Sequence, residues 1–72
     1  MSNRPFDFLN KHTDKTVLVR LKDGKELRGK LQAFDVHMNI VLSDSEELED
    51  GKVLEKAGSM LVRGDNILFI SP

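Results

Sequence analysis

The chain is organised around Asp35-Val36-His37-Met38-Asn39, a stretch between two long strand-like segments. If the stretch were extended, alternation would place Asp35, His37 and Asn39 on one side and the two apolar residues on the other. An acid, an imidazole and an amide would then meet on one small patch. Such a patch could grip a planar, hydrogen-bonding ligand such as a nucleobase. The plainer alternative is a polar turn whose side chains hydrogen-bond to nearby backbone.

The segments before this stretch are predicted to form a bent hairpin. Residues 15–22 alternate apolar and polar side chains, as a half-buried strand does, and Asp23-Gly24 is typical of a hairpin turn. The second strand runs from residue 25 to about residue 35. Gly29 and the break in alternation at Ala33-Phe34 both indicate a bend or bulge. A strongly bent strand of this kind is how small barrels close.

Three more strands are predicted after the central stretch. Their ranges are about Met38–Ser43, Lys52–Val62 with a bend at Gly58, and Ile67–Ser71. Residues 44–51 carry five acids and a glycine, and we interpret them as the solvated loop of a long hairpin. Metal binding is the weaker alternative for this loop, because the spacing of a calcium-binding loop is absent.

A short helix over about residues 4–11 is predicted to precede the sheet. Pro5 suits its first turn, and Ser2 or Asn3 could supply its cap. Phe6 and Leu9 are three residues apart and are expected to share a face of the helix, with Phe8 partly beside them. A helix of about two turns is not stable alone. It is therefore expected to dock on the sheet.

The composition limits the classes of function. The 72 residues form one small domain without cysteine, so disulfides are excluded. With only His12, expected at the surface, and His37, neither a zinc site nor a cofactor is expected. The net charge of −1 argues against a sequence-blind binder of phosphate backbone, since such proteins are basic. No apolar run reaches the roughly 18 residues of a membrane span, so we expect a soluble, cytoplasmic protein.

The last two strands are apolar on both faces, which one small sheet cannot cover. Met60 to Val62 and Ile67 to Ile70 are unbroken apolar runs, as found in strands buried on both sides. Another copy of the chain is the economical cover. If the edge of one copy pairs with the opposite edge of the next, the head-to-tail contact closes into a ring or continues as a fibre.

These motifs resemble those of the Sm-like (Lsm) proteins, most closely the archaeal members. The first Sm motif extends over about residues 17–44 and contains Asp23-Gly24, Gly29 and the Asp35-x-x-Met38-Asn39 core. The second extends over about residues 58–71 and contains Met60-Leu61-Val62-Arg63-Gly64-Asp65-Asn66. The opening Arg4-Pro5-x-Asp7 is also similar. Phe6 and Phe8 stand where relatives more often have aliphatic residues, which affects helix docking alone.

The resemblance implies a short helix on a strongly bent five-stranded antiparallel barrel, with single-stranded uridine-rich RNA bound at the pore of a homo-heptameric ring. RNA-processing proteins are implied as possible partners. The residues implied to bind RNA are His37, Asn39, Arg63, Asp65, Asp35, Met38 and Gly64, with the two aspartates as buttresses.

The residue chemistry supports these roles independently. His37 and Arg63 are flat groups that can stack on a base, and Asp65 is close enough to orient the guanidinium. The Asn39 amide can pair bidentately with a base edge. This amide can turn over, so selecting uracil requires an orienting group, either Asp35 or a backbone group near Asp65. Gly64 is expected to adopt a positive φ.

Two other functional classes stay open at this level. One is a ring that serves as a protein scaffold through its acidic loop, with RNA binding secondary. The other is an enzyme that uses Asp35 and His37 as an acid–base pair. The enzyme is disfavoured because the sequence offers no accompanying nucleophile, metal set or glycine-rich phosphate loop.

Overall fold

The chain folds as a short helix followed by five antiparallel strands, as predicted. The computed structural model describes residues 4–72. Its elements are α1 (Pro5–Lys11), β1 (Thr16–Leu21), β2 (Glu26–Phe34), β3 (Ile40–Glu49), β4 (Lys52–Val62) and β5 (Ile67–Ser71), with a 3-10 turn at Gly64–Asn66. The strand order is β4-β3-β2-β1-β5, and every neighbouring pair is antiparallel. The last two strands of the sequence therefore form the two edges of the sheet.

The bends predicted at Gly29 and Gly58 are confirmed. The register of β2 against β3 shifts twice, once across Gly29. A Cβ at Gly29 would lie 3.1 Å from the Ser43 carbonyl oxygen and 3.1 Å from Ser45, so glycine lets the two strands approach closely. Gly58 has φ +67°, and its carbonyl accepts a 2.5 Å hydrogen bond from the buried Ser45 hydroxyl. These residues mark where β2, β3 and β4 leave regular pairing.

The core lies on the inward face of the bent sheet. Val17, Val19 and Leu21 of β1 are buried, as the alternation predicts. The other buried apolar residues are Leu9, Leu27, Leu31, Ile40, Leu42, Leu48 and Val62.

The helix docks through Leu9, but its second contact differs from the prediction. Phe8 packs against the core, whereas Phe6 is 40% exposed and lies 5.7 Å from the Phe34 ring. Phe6 and Leu9 therefore do not share one buried face. Arg4 is the N-cap and makes no side-chain capping bond. The predicted caps, Ser2 and Asn3, lie outside the described residues.

His12 is half-buried, and its expected surface position is wrong. It is the C-cap of α1, with its ring 4.4 Å from that of Phe8. Its Nδ1 lies 2.8 Å from the Phe8 carbonyl oxygen. The imidazole therefore stabilises the end of the helix through a polar contact and a ring contact.

The predicted acidic loop over residues 44–51 is wrong in its conformation. β3 continues to Glu49, and only Asp50-Gly51 forms the turn, with φ values of +52° and +80°. Ser45 and Leu48 are buried between the acids, with a spacing of three that departs from strand alternation. Four of the five acids thus lie on β3. This part of β3 was not predicted because its few buried positions lie among acidic residues, which are typical of a solvated loop.

Both sheet edges carry exposed apolar side chains. Leu61 of β4 is 67% exposed, and Leu68 and Phe69 of β5 are 62% and 45% exposed. Each of these strands pairs on one side only. Both edges of the sheet are therefore unpaired and apolar, as the predicted head-to-tail ring contact requires. Within residues 4–72, no helix has the length and apolar character needed to cross a membrane.

Candidate nucleic-acid interface

Residues 35–39 form a closed turn, so the predicted alternation along this stretch is wrong. The Asp35 N–H donates to the Asn39 carbonyl at 3.1 Å, and the Met38 N–H donates to the Asp35 carbonyl at 3.0 Å. Met38 has φ +63°, which extended chain excludes. β3 accordingly begins at Ile40 and not at Met38. The turn, and not a flat strand, brings Asp35 and Asn39 together.

The Asp35 carboxylate fixes this turn. Its Oδ1 accepts from the backbone N–H of His37 at 2.9 Å and of Asn39 at 3.1 Å. Its Oδ2 accepts from the Asn39 side-chain amide at 3.1 Å. These donors, the Asn39 side chain first, lower the pKa of Asp35 below its ordinary value of 3.8. Asp35 is therefore ionised at neutral pH and acts as an acceptor only.

The Asn39 amide is held at both of its ends. Nδ2 donates to Asp35, and Oδ1 accepts from the Gly64 N–H at 2.8 Å. The sequence offered Asp35 and a backbone group near Asp65 as alternative orienting groups, and both contacts are present. Because a donor and an acceptor flank the amide, turning it over would break both bonds. Its second N–H and second carbonyl lone pair remain to meet a ligand.

Gly64 is required by close packing, and the predicted positive φ is wrong. Gly64 opens the 3-10 turn and is not among the residues with positive φ. A Cβ built on it would overlap the His37 carbonyl oxygen and lie 2.8 Å from the Met38 carbonyl carbon. The backbones of the two loops therefore touch at this point, which places the Gly64 N–H within reach of Asn39.

Arg63 and Asp65 lie on the second loop and contact each other. The guanidinium Nη2 is 3.1 Å from Asp65 Oδ2, and both side chains are largely exposed. The structure therefore gives Asp65 the position predicted for a group that orients Arg63. In this exposed setting the ion pair adds little stability. Its consequence is geometric, since it limits where the guanidinium points.

The two loops line one open cleft of about 570 Å³. Six of the seven predicted residues form its wall, and the half-buried Met38 joins it to the core. Asp35 is not part of this lining and is hydrogen-bonded to Asn39. The lining residues are His37, Met38, Asn39, Arg63, Gly64 and Asp65.

The Asp35 carboxylate is occupied by backbone and amide donors. Asp35 contacts the backbone N–H of His37, and no hydrogen bond joins its carboxylate to the His37 ring within residues 4–72. What the sequence did not reveal is the simultaneous clamp on Asn39. The clamp depends on a tertiary contact, because residues 39 and 64 are 25 positions apart and meet only when β3 and β4 pair.

Comparison with known proteins identifies relatives of the whole chain. The LSM domain family matches residues 7–72. An Sm-like protein of Methanosarcina barkeri is 51% identical over 72 residues, covering all of both chains. An Sm-like protein of Pyrococcus furiosus is 53% identical over 72 residues, all of this chain and 95% of that relative.

Solved structures of similar chains have the same fold. The Pyrococcus abyssi Sm protein, determined in complex with a uridine heptamer, is 48% identical and superposes with a TM-score of 0.93. The match covers 97% of this chain and 99% of that one. A heptameric archaeal Sm protein is 52% identical with a TM-score of 0.86, covering 92% of this chain and 96% of that one.

Proposed function

This chain belongs to the LSM domain family, and from that premise we propose that it forms a ring that binds single-stranded, uridine-rich RNA at its pore. The ring acts in RNA processing or metabolism as a non-catalytic scaffold. The relatives support this proposal, since one was determined with a uridine heptamer and another as a heptamer. The single observation that carries it is the two-sided clamp on the Asn39 amide.

The clamp leaves Asn39 with the pattern that uracil complements. Its unused N–H can donate to a uracil carbonyl, and its unused lone pair can accept from uracil N3–H. Cytosine offers an acceptor at N3 and an amino donor, so it would require the opposite amide direction. That direction is disfavoured by Asp35 on one side and the Gly64 N–H on the other. A good bidentate base contact discriminates by roughly 1–3 kcal/mol.

Stacking supplies affinity without selectivity. His37 and Arg63 line the same cleft as Asn39, so a base paired with Asn39 lies between or beside their flat groups. Stacking contributes roughly 1–3 kcal/mol per base. Met38 closes the inner wall of the cleft. Each residue thus has a separate role, which single substitutions can resolve.

The ring follows from the two sheet edges. Leu61 on one edge and Leu68 and Phe69 on the other are largely exposed apolar side chains. Exposed apolar patches of this kind favour association of subunits over a monomer. Pairing β4 of one copy with β5 of the next would cover all three and extend the sheet from subunit to subunit. We propose seven subunits, as in the heptameric relative. The 72 residues act as one domain in the cytoplasm, with RNA-processing proteins as further partners.

Native mass spectrometry with and without oligouridine tests the ring and its RNA stoichiometry together. We expect a seven-subunit species that gains one nucleic-acid chain. A chain that remains monomeric at micromolar concentration contradicts the ring. Oligouridine recovered shortened after incubation with the pure protein would contradict the non-catalytic role.

Salt titration tests which contacts dominate. Each neutralised phosphate of a single strand adds about −0.7 to the log–log salt slope. With a net charge of −1 and a cleft that contains one arginine and no lysine, we expect a slope well below the number of nucleotides bound. A slope that matches neutralisation of every phosphate would show that the backbone, and not the bases, is recognised.

A further inference from the structure

The outer part of the β3–β4 hairpin, residues 44–56 (the outer hairpin), has a surface without a partner. β4 is exposed on both faces from Lys52 to Ser59. Its exposed residues include Val53 at 47% and Leu54 at 57%. Two neighbouring apolar side chains are thus presented to solvent near the turn of the β3–β4 hairpin.

A neighbouring subunit would not cover this surface. This step alone rests on the proposed ring. β4 has 11 residues and β5 has 5, so pairing leaves 11 − 5 = 6 residues of the β4 edge open. The exposed apolar Leu68 and Phe69 of β5 would lie against the half of β4 that contains the exposed Leu61. The charged half, which contains Lys52 and Lys56, therefore stays outside the subunit contact.

The open edge is not shaped to accept a further strand. Glu47 pairs with Glu55 and Leu48 with Val53, so Leu54 is an extra residue that bulges from β4. Bulges and lysines are the devices by which edge strands resist added strands. A ligand would therefore contact side chains beside the edge and not extend the sheet.

Beside the outer hairpin lies a cleft of about 460 Å³, shared with the β1–β2 turn. Its apolar side is Leu48 and Leu54. Its charged lining consists of Arg20 and Lys25 with the acids Asp23, Glu26, Glu47, Glu49 and Asp50. Arg20 is paired with Glu26 at 2.9 Å. Acidic residues therefore outnumber basic ones in this lining by five to two, beside the exposed Leu54.

The charge of this region selects the class of ligand. Residues 44–56 contain six acids and two lysines, so their net charge is 2 − 6 = −4. The whole chain has −1, so the remainder has −1 − (−4) = +3. RNA phosphates are repelled from such a surface, and so is the same surface of a second copy. A cationic segment is attracted.

We propose that this cleft binds a flexible, lysine- or arginine-rich segment of a partner protein. Long basic side chains fit both halves of the cleft, because their methylene stems lie on apolar surface while the charged head stays in water. The stems contact the exposed Leu54, and the heads meet the acidic residues of the lining. A partner held here leaves the RNA cleft free.

Binding of fluorophore-labelled hexalysine, followed by anisotropy, tests the proposal with the intact assembly. The variant Glu47→Gln/Glu49→Gln removes two charges from the cleft. The matched control Asp14→Asn/Asp44→Asn removes two charges outside it, at positions with φ +67° and +49°, a region that asparagine tolerates. We expect the cleft variant to weaken hexalysine binding about fivefold and the control less than twofold, the range for exposed ion pairs. Oligouridine affinity and subunit count stay unchanged in both.

The apolar base is tested separately with Leu54→Ser. This variant should weaken hexalysine more than a peptide of equal charge built from 2,3-diaminopropionic acid, whose stem is one methylene long. Equal loss for both peptides would overturn the predicted stem contact.

Three other outcomes overturn the proposal. They are equal weakening by the cleft variant and its control, no binding of hexalysine by the wild-type protein, and hairpin-dependent association of one assembly with another. The last would make a second copy the occupant. Hexalysine binding is measured whether the chain is a ring or a monomer, so failure of this proposal is distinguishable from failure of the proposed function.

Discussion

The two loops of the candidate cleft and the outer hairpin are both polar and exposed, yet they differ in how their polar groups are held. In the cleft, the Asp35 carboxylate accepts three hydrogen bonds, one of them from the Asn39 side-chain amide, and the Gly64 N–H donates to the other end of that amide. In the outer hairpin, most carboxylates lie on β3 and β4, and Glu46 forms a 3.7 Å ion pair with Arg28. A connected network of hydrogen bonds specifies the direction of each group. A charged surface without such a network specifies only the sign of what it attracts.

This difference predicts that substitutions on the subunit edge and in the cleft will have large, specific effects, while matched substitutions on the outer hairpin will not. The largest effect is expected for Leu68→Lys. Leu68 is 62% exposed on the β5 edge, and covering a leucine contributes roughly 1.5–3 kcal/mol at each contact. We expect the ring to dissociate, as measured by native mass spectrometry. Leu54→Lys, a similarly exposed leucine on the outer hairpin, should leave the subunit count unchanged. Dissociation by both variants would place the contact elsewhere.

Gly64→Ala should have the next largest effect. The added methyl overlaps the His37–Met38 backbone, and overpacking of this kind costs about 1–3 kcal/mol. The two loops would separate, so both thermal stability and oligouridine affinity should fall. Gly51→Ala is the control, because its φ of +80° makes alanine strained while its surroundings are open. It should lose stability and keep affinity. If Gly64→Ala keeps wild-type affinity, contact between the loops is not needed for RNA binding.

Asn39→Ala should remove selectivity and part of the affinity. We expect the preference for oligouridine over oligocytidine to flatten, a loss of roughly 1–3 kcal/mol in discrimination. His37→Ala and Arg63→Ala should weaken both ligands alike, because stacking tolerates any base. The measurement is the affinity of each variant for both oligonucleotides at one fixed salt concentration. A selective loss of uridine binding in His37→Ala would contradict this division of roles.

Much of the fold was predictable because its signals are local. Alternation located β1, and Gly29 and Gly58 marked the bends at their observed places. The acidic part of β3 was missed because Ser45 and Leu48 are too few to show a period among five acids. The identities of the cleft residues were also predictable from the motif resemblance. Their conformation was not, since the turn at residues 35–39 depends on the Asp35 bonds and the clamp depends on a contact 25 residues away.

The smallest expected effect is that of Asp35→Asn, which tests how the two contacts to the Asn39 amide share its orientation. The carboxylate holds one end of the Asn39 amide, while the Gly64 N–H holds the other. We therefore expect the variant to keep most of its affinity and to lose part, but not all, of its uridine preference, provided that the subunit count is unchanged. A fully retained preference would show that Gly64 alone orients the amide.

The pH dependence of the same variant is an independent check. The pKa of Asp35 is lowered on folding, so its contribution to stability is fully present above its ordinary value of 3.8 and is lost as pH falls through the lower folded value. The difference in unfolding free energy between the wild-type protein and Asp35→Asn should be constant at neutral pH and shrink only in acid, below 3.8. A difference that disappears already near neutral pH would mean that the carboxylate does not act as the ionised acceptor that holds Asn39.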